Sequence, residues 1–293
     1  MPKHRPLVSL SKPPIDARIP RALNLALSSL PASLTNQSLN IHNMEKACAQ
    51  ASKGGAQLAV FPELSVTGYE NTKAAYERAL TQKEMAEICL PIAKKHELAV
   101  MAGFVEKKEK KVYLSHMLAR KDGRFGVYRK THLAPPEKPL FNPGDTLPLF
   151  ELHGFKIGIL LCYDAHFPLA FHHMAQHGAD LIVIPHASPR GESKEKMASW
   201  MRHLPARAFD NSLWVAAVNP SGTNEAGLSF APLTLLVNPS GHLEGEPSTS
   251  RGVQIVSVTQ KALTDVRSHR MRYFLPNTRD DIVLPAEHQK IFR

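Results

Sequence analysis

The sequence predicts an α/β fold built on mixed β-sheets. Segments with helical spacing alternate with short apolar runs that are closed by glycine or proline, the pattern of buried strands between helices. Two of the runs are joined by the tight turn Asp122-Gly123, which pairs strands antiparallel within a chain that otherwise alternates strand and helix. No internal repeat is visible.

Residues 1–21 are basic and contain prolines, and they read as a flexible arm before a first strand near Leu23-Asn24-Leu25-Ala26-Leu27. Residues 40–53 then read as a helix, 57–61 as a strand, 81–96 as a helix and 98–105 as a strand. The hairpin comprises 112–119 and 125–130. An apolar run, Ile157-Gly158-Ile159-Leu160-Leu161, leads into a helix over 165–177, and Gly178 supplies the stop. Residues 180–185 form a further buried strand, 193–210 a helix despite Pro205, and 213–218 a strand. Residues 233–237 are expected to pair with 254–258 across Asn238-Pro239-Ser240-Gly241. One domain over 22–275 is the economical division, with a tail over 276–293 placed at a subunit interface.

A chain of 293 residues, 43% hydrophobic and 21% charged, can bury a large core. No apolar run is long enough to cross a bilayer, and the basic start lacks the apolar stretch of a secretory signal. The odd count of 3 cysteines makes no disulfide framework, which fits a reducing cytoplasm. The net charge of +10 is concentrated in the arm and around Lys107, Lys108, Lys110 and Lys111. Without a zinc-finger, RNA-binding or zipper pattern, it reads as solvated surface, not a nucleic-acid site. His173 and His177 have metal-compatible spacing but no evident third ligand, so no metal is assigned.

Cys162 carries the functional signal. Free cysteines ordinarily pack as small apolar groups. This one stands where an apolar strand gives way to a helix, a position that predicts a pKa lowered toward the thiolate. Glu63, after Ala59-Val60-Phe61-Pro62, and Lys130, before Pro135-Pro136, also stand where strands end. A base, a cation and a nucleophile are thus available in comparable positions.

Phe61-Pro62-Glu63-Leu64 with Thr67-Gly68-Tyr69, Tyr128-Arg129-Lys130-Thr131-His132-Leu133, and Leu161-Cys162-Tyr163-Asp164 with Phe167-Pro168 resemble the motifs of the nitrilase superfamily, the carbon–nitrogen hydrolases. The resemblance implies an α-β-β-α sandwich of two mixed sheets whose protomers pair through helices, as a homodimer or larger homo-oligomer. It implies a Glu63, Lys130 and Cys162 triad. Glu137 is implied as a second glutamate, although Glu106 and Glu151 are other carboxylates of the region. Hydrolysis of an unactivated C–N bond needs what such a set supplies: a strong nucleophile, a group that takes and returns its proton, and positive charge at the developing oxyanion. This chemistry uses no metal and no cofactor.

The substrate is less legible. Tyr163-Asp164 resembles the amidase and carbamoylase branches, whereas Leu169 after Pro168 is nitrilase-like. Neither Ala165 nor His166 is an arginine, which removes the simplest anchor for an α-carboxylate. Tyr69, Tyr163, His166, His186 and Arg190 are the candidates for the pocket. The expected substrate is a small linear amide or N-carbamoyl amine. A nitrile hydrolysed by the same triad and an idle partner-binding scaffold are the alternatives.

Overall fold

The computed structural model describes residues 22–189 and 191–279. The arm at 1–21, Arg190 and most of the expected tail lie outside the described residues. The strands are β1 (Ala22–Ser29), β2 (Leu58–Val60), β3 (Ala99–Lys108), β4 (Lys111–Ala119), β5 (Phe125–Arg129), β6 (Leu149–Leu152), β7 (Phe155–Ile159), β8 (Leu181–Pro185), β9 (Trp214–Asn219), β10 (Gly222–Thr223), β11 (Ser229–Phe230), β12 (Leu233–Val237) and β13 (Gly252–Thr259). The helices are α1 (Gln37–Lys53), α2 (Gln82–Lys95), α3 (Pro168–Gln176), α4 (Ser193–Trp200), α5 (Leu204–Asn211) and α6 (Gln260–Arg267).

Two mixed sheets form the centre. The first runs β13-β1-β2-β3-β4-β5 and the second β12-β9-β8-β7-β6. Strand periodicity sorts the side chains of the first sheet between two layers. Leu23, Leu25, Leu27, Leu58, Val60 and Met101 join the core shared with the second sheet. The alternate residues Ala26, Ala59, Val100 and Ala102 meet α1 and α2 through Met44, Cys48, Met85, Cys89 and Ile92. On the far side, α3 and α5 close the second sheet through Phe171, Met174 and Ala208. The order is α-β-β-α, as the resemblance implies.

Local chemistry sets the helix ends. The Asn36 side chain accepts from Leu39 N and starts α1 three residues before the sequence expectation. Thr81 and Glu84 close a capping box at α2.

Three expectations are corrected. The helix expected over 165–177 is divided: Cys162–His166 is a 3-10 turn, and α3 begins only at Pro168. The helix expected over 193–210 is also two helices. Pro205 lies in the first turn of α5, where a missing N–H is tolerated. Finally, β12 does not pair with β13. The turn at Asn238 forms, with Gly241 N donating to Asn238 O at 2.8 Å. The returning chain touches β12 only at isolated bridges, Leu243 to Val237 and Ser248 to Thr234, and then leaves, because β13 finds a full eight-residue antiparallel register on β1, and β12 pairs with β9. The short edge strand β6 was not anticipated.

No helix among the described residues is long and apolar enough to cross a membrane. Among the same residues no group of 3 or more His, Cys, Asp or Glu is placed to hold a metal ion. His177 uses Nδ1 on the His173 carbonyl at 2.7 Å, closing the end of α3.

Candidate active site

The ends of β2, β5, β7 and β8 meet at one edge of the sandwich: the first three lead into Glu63, Lys130 and Cys162, and the fourth contributes the backbone of His186. The proline after Phe61 stops β2, and Leu64 takes a left-handed φ of 56°, so the chain turns sharply at Glu63. Glu63 N donates to the carbonyl of His186, beyond β8, at 3.1 Å and ties the two sheets together. Close approach here requires a glycine in β3: a Cβ on Gly103 would lie 2.3 Å from Leu64 N and 3.1 Å from the Glu63 carbonyl carbon.

Lys130 follows β5 directly and is 1% exposed. Its ammonium donates to Glu63 Oε1 at 2.8 Å and to Glu137 Oε1 at 2.9 Å. Glu137 sits in the turn after Pro135-Pro136, where its Oε2 accepts from Ala134 N at 2.7 Å. The Tyr69 hydroxyl completes this carboxylate, donating to Oε1 at 3.1 Å. The other two carboxylates of the region are elsewhere: Glu151 is exposed on β6, and Glu106 binds Arg129.

Cys162 opens the 3-10 turn with a φ of 41°, a conformation that a non-glycine residue holds only when its surroundings enforce it. Its thiol does not behave as its position in the sequence suggests. Burial pushes its pKa up to about 12; Glu63 and Glu137 push the same way, while Lys130 and a hydrogen bond from Ala187 N–H oppose them. The helix expected to favour a thiolate starts six residues later, which removes the dipole from the balance. The resting sulfur is therefore a thiol.

The carboxylate beside it is raised as well. Burial lifts Glu63 to about 7 against the pull of Lys130, with Glu137 adding to the rise. Its Oε2 has no hydrogen-bond partner among the described residues. For Lys130, burial favours the neutral amine, but Glu63 and Glu137 outweigh it and hold the ammonium well above the usual lysine range. The arrangement combines a fixed cation, a basic oxygen with an open lone pair, and a protonated thiol.

These motifs lie inside a longer match: the family model for carbon-nitrogen hydrolase covers residues 24–268. The chain belongs to the carbon-nitrogen hydrolase family. Among its relatives is a nitrilase of Pyrococcus abyssi, 31% identical over 259 residues that are 87% of this chain and 93% of that protein. A 2-oxoglutaramate amidase of Bacillus subtilis is 32% identical over 217 residues, 72% of this chain and 82% of that protein. Among solved structures, a mutant of the amidase from Nesterenkonia sp. AN1 in complex with butyramide superposes with a TM-score of 0.72. It is 28% identical and the match covers 84% of this chain and 94% of that one.

The remaining candidates are distributed around the candidate site in different ways. The Tyr163 ring meets His166 and Phe167 edge-on, at 5.6 and 5.5 Å between centroids. His166 is exposed and lies 4.7 Å from the His203 ring. His186 is buried, stacked on Trp200 at 4.1 Å, and its Nδ1 is on the Ile184 carbonyl at 3.0 Å. Its contact with the site is the backbone bond to Glu63.

Asp164 organises the site, yet sequence reasoning assigned it no task. Its Oδ2 accepts from Tyr128 OH and Leu161 N, both at 2.8 Å. Its Oδ1 accepts from Thr131 Oγ1 at 2.9 Å and His132 N at 2.8 Å. One fully buried carboxylate thus fastens the segment carrying Lys130 to the turn carrying Cys162. Its place two residues after the cysteine was the available signal. An asparagine would turn an NH2 group toward two of these donors, so Asp164→Asn is expected to destabilise the fold by about 3 kcal/mol. Chemical denaturation measures this; a loss under about 1 kcal/mol would contradict it.

Proposed function

We propose that this carbon–nitrogen hydrolase cleaves a small linear amide or N-carbamoyl amine through a thioester on Cys162. The observation that carries this reading is the buried Lys130 ammonium, shared between Glu63 and Glu137 and within electrostatic reach of the Cys162 thiol. In the first half-reaction Glu63 takes the thiol proton as sulfur bonds to the carbonyl carbon. The carbonyl oxygen becomes an anion, which the Lys130 ammonium and the backbone N–H following Cys162 stabilise. Each such donor contributes on the order of 3 kcal/mol in acyl transfer. The C–N bond then breaks, Glu63 passes its proton to the departing nitrogen, and the acyl group remains on sulfur.

In the second half-reaction Glu63 deprotonates a water that attacks the thioester. The C–S bond breaks, the proton returns to sulfur, and the acid leaves. Glu137 keeps Lys130 oriented throughout, and the Tyr69 hydroxyl holds Glu137. The raised pKa of Glu63 suits its role. A carboxyl with a pKa near 7 can both accept and return a proton at neutral pH.

The experiment is incubation with a panel of short aliphatic amides, N-carbamoyl amines and the matching nitriles, with ammonia release and intact protein mass followed together. Butyramide belongs in the panel because the Nesterenkonia amidase mutant binds it. An acyl adduct confined to Cys162 together with amide turnover is expected. Consumption of the nitriles alone would overturn the amide reading.

Two further outcomes follow from the roles. Glu63→Gln is expected to lower kcat/KM by at least about a hundredfold, the usual contribution of a positioned proton shuttle. In the unaltered enzyme kcat/KM is expected to fall on the acid side as Glu63 takes up a proton, with a midpoint near its raised value of about 7. A midpoint at the ordinary value of 4.5 would remove Glu63 from the role of base.

A further inference from the structure

Lys196 is a second buried lysine near the nucleophile, and the steps above give it no task. It is only 6% exposed, although it lies in the strongly charged run Ser193-Lys194-Glu195-Lys196 that opens α4. Four residues on, Trp200 stacks on His186, so α4 turns the face carrying both residues toward the segment that follows β8. The ammonium donates to Ser188 O at 2.9 Å and to Ser188 Oγ at 3.1 Å.

Ser188 is held from the other side too. Asn219, the last residue of β9, accepts from Ser188 N at 3.0 Å and donates through Nδ2 to Ser188 O at 3.2 Å. A stretch without regular secondary structure is thereby fixed at its N–H, its carbonyl and its side chain. The residue just before it, Ala187, provides the N–H bonded to the Cys162 sulfur.

We propose that Lys196 is a positioning residue for the reaction at Cys162: its ammonium, with Asn219, locks Ser188 so that the preceding Ala187 N–H stays aimed at the sulfur while negative charge develops there. The inference rests on the thioester reading of Cys162. Charge acts in the same direction as geometry. Burial weakens the Lys196 ammonium, whereas Cys162 and Glu195 strengthen it. The sulfur in turn is faced by Glu63 and Glu137, which resist ionisation, and by Lys130, which favours it. Of the groups facing Lys196, His186 is held neutral by burial and adds no positive charge.

The test uses the full chain and compares Lys196→Met, Lys196→Gln and Lys196→Arg, each shown by circular dichroism to be folded. Alkylation of Cys162 by iodoacetamide is followed by peptide mass mapping from about pH 6 to about pH 10, where the rate tracks the small thiolate fraction of a thiol whose pKa lies higher. Cys48 and Cys89 are fully buried and serve as unreactive internal controls. In the methionine and glutamine variants the alkylation profile is expected to move to higher pH. The rate near neutrality is expected to fall at least about fivefold, corresponding to a less stabilised thiolate. On an amide substrate kcat is expected to fall about tenfold with KM within about twofold, the pattern of an interaction realised in the transition state. Lys196→Arg, which keeps the charge, recovers most of the alkylation rate.

Glutamine retains one donor to Ser188 and stands in if methionine prevents folding. A folded neutral variant with an unchanged alkylation profile and unchanged kcat overturns the proposal, even if its melting temperature has dropped. A Cys162 that is inert to alkylation in the unaltered protein, with no amide consumed, overturns the thioester reading and this inference with it.

Discussion

Cys162→Ala is expected to stop hydrolysis and to abolish the acyl adduct, with a rate loss of at least about 10⁴-fold on whichever amide the unaltered enzyme consumes. The argument is chemical before it is structural. Neither Lys130 nor Glu63 can form the acyl intermediate that divides one difficult displacement into two easier ones. With the sulfur gone, only direct attack by water remains. The fold should be little affected, because alanine keeps the Cβ and the left-handed backbone of Cys162 is held by neighbours, not by the thiol. Mass spectrometry after incubation with an amide reads the outcome. A persistent adduct elsewhere, or turnover within about tenfold of the unaltered enzyme, would place the nucleophile at another residue.

Lys130→Met should damage both rate and stability, and the two effects should depend differently on pH. The rate should fall at least about a hundredfold because the oxyanion loses a fixed donor. Stability should fall by about 3–5 kcal/mol near neutral pH, since removing one member of a buried ionic set leaves uncompensated charge behind. Here two glutamates, each nearly inaccessible, would face one another without the cation between them. The folded-state pKa of Glu63, already raised by burial and by Glu137, would lie still further above the unfolded one without the pull of Lys130. The folded state would bind more protons than the unfolded state, so stability would decrease as pH rises through that interval. Denaturant unfolding at acid and at mildly alkaline pH checks the sign. A variant more stable at the alkaline end would mean that the two carboxylates do not share the ammonium.

Much of the architecture can be read along the chain because the signals are local. The alternation at Leu23, Leu25 and Leu27, the Asp122-Gly123 turn and the Thr81 cap each depend on a few neighbouring residues. Strand partners do not. The residues around Asn238 have the chemistry of a hairpin turn, but whether β13 stays with β12 depends on β1, more than two hundred residues earlier. The grouping of Glu63, Lys130 and Cys162 is suggested by position, since each ends a strand, and the structure brings Glu63, Glu137 and Lys130 into direct hydrogen-bonded contact. The acidity of Cys162 could not be read in the same way. Strand-to-helix spacing implies a dipole, but burial and two nearby carboxylates decide the balance, and neither is local. Lys196 was hidden for a related reason. In a run of charges every lysine resembles a solvated one until the helix face is fixed, and that face is fixed by Trp200.

The bond between Glu63 N and His186 O crosses from one sheet to the other, so the Glu63 carboxylate and the Cys162 sulfur belong to different slabs of the sandwich. Their alignment is inherited from how deeply those slabs interleave. Side chains such as Leu27, Val60 and Ile159, which take no part in the chemistry themselves, work as shims of fixed thickness. Swapping one for a bulkier hydrocarbon would cost about 1–3 kcal/mol, a loss that leaves a chain of this size folded, while Glu63 drifted away from the thiol. Catalysis would therefore fail from an ill-fitting interior sooner than the fold.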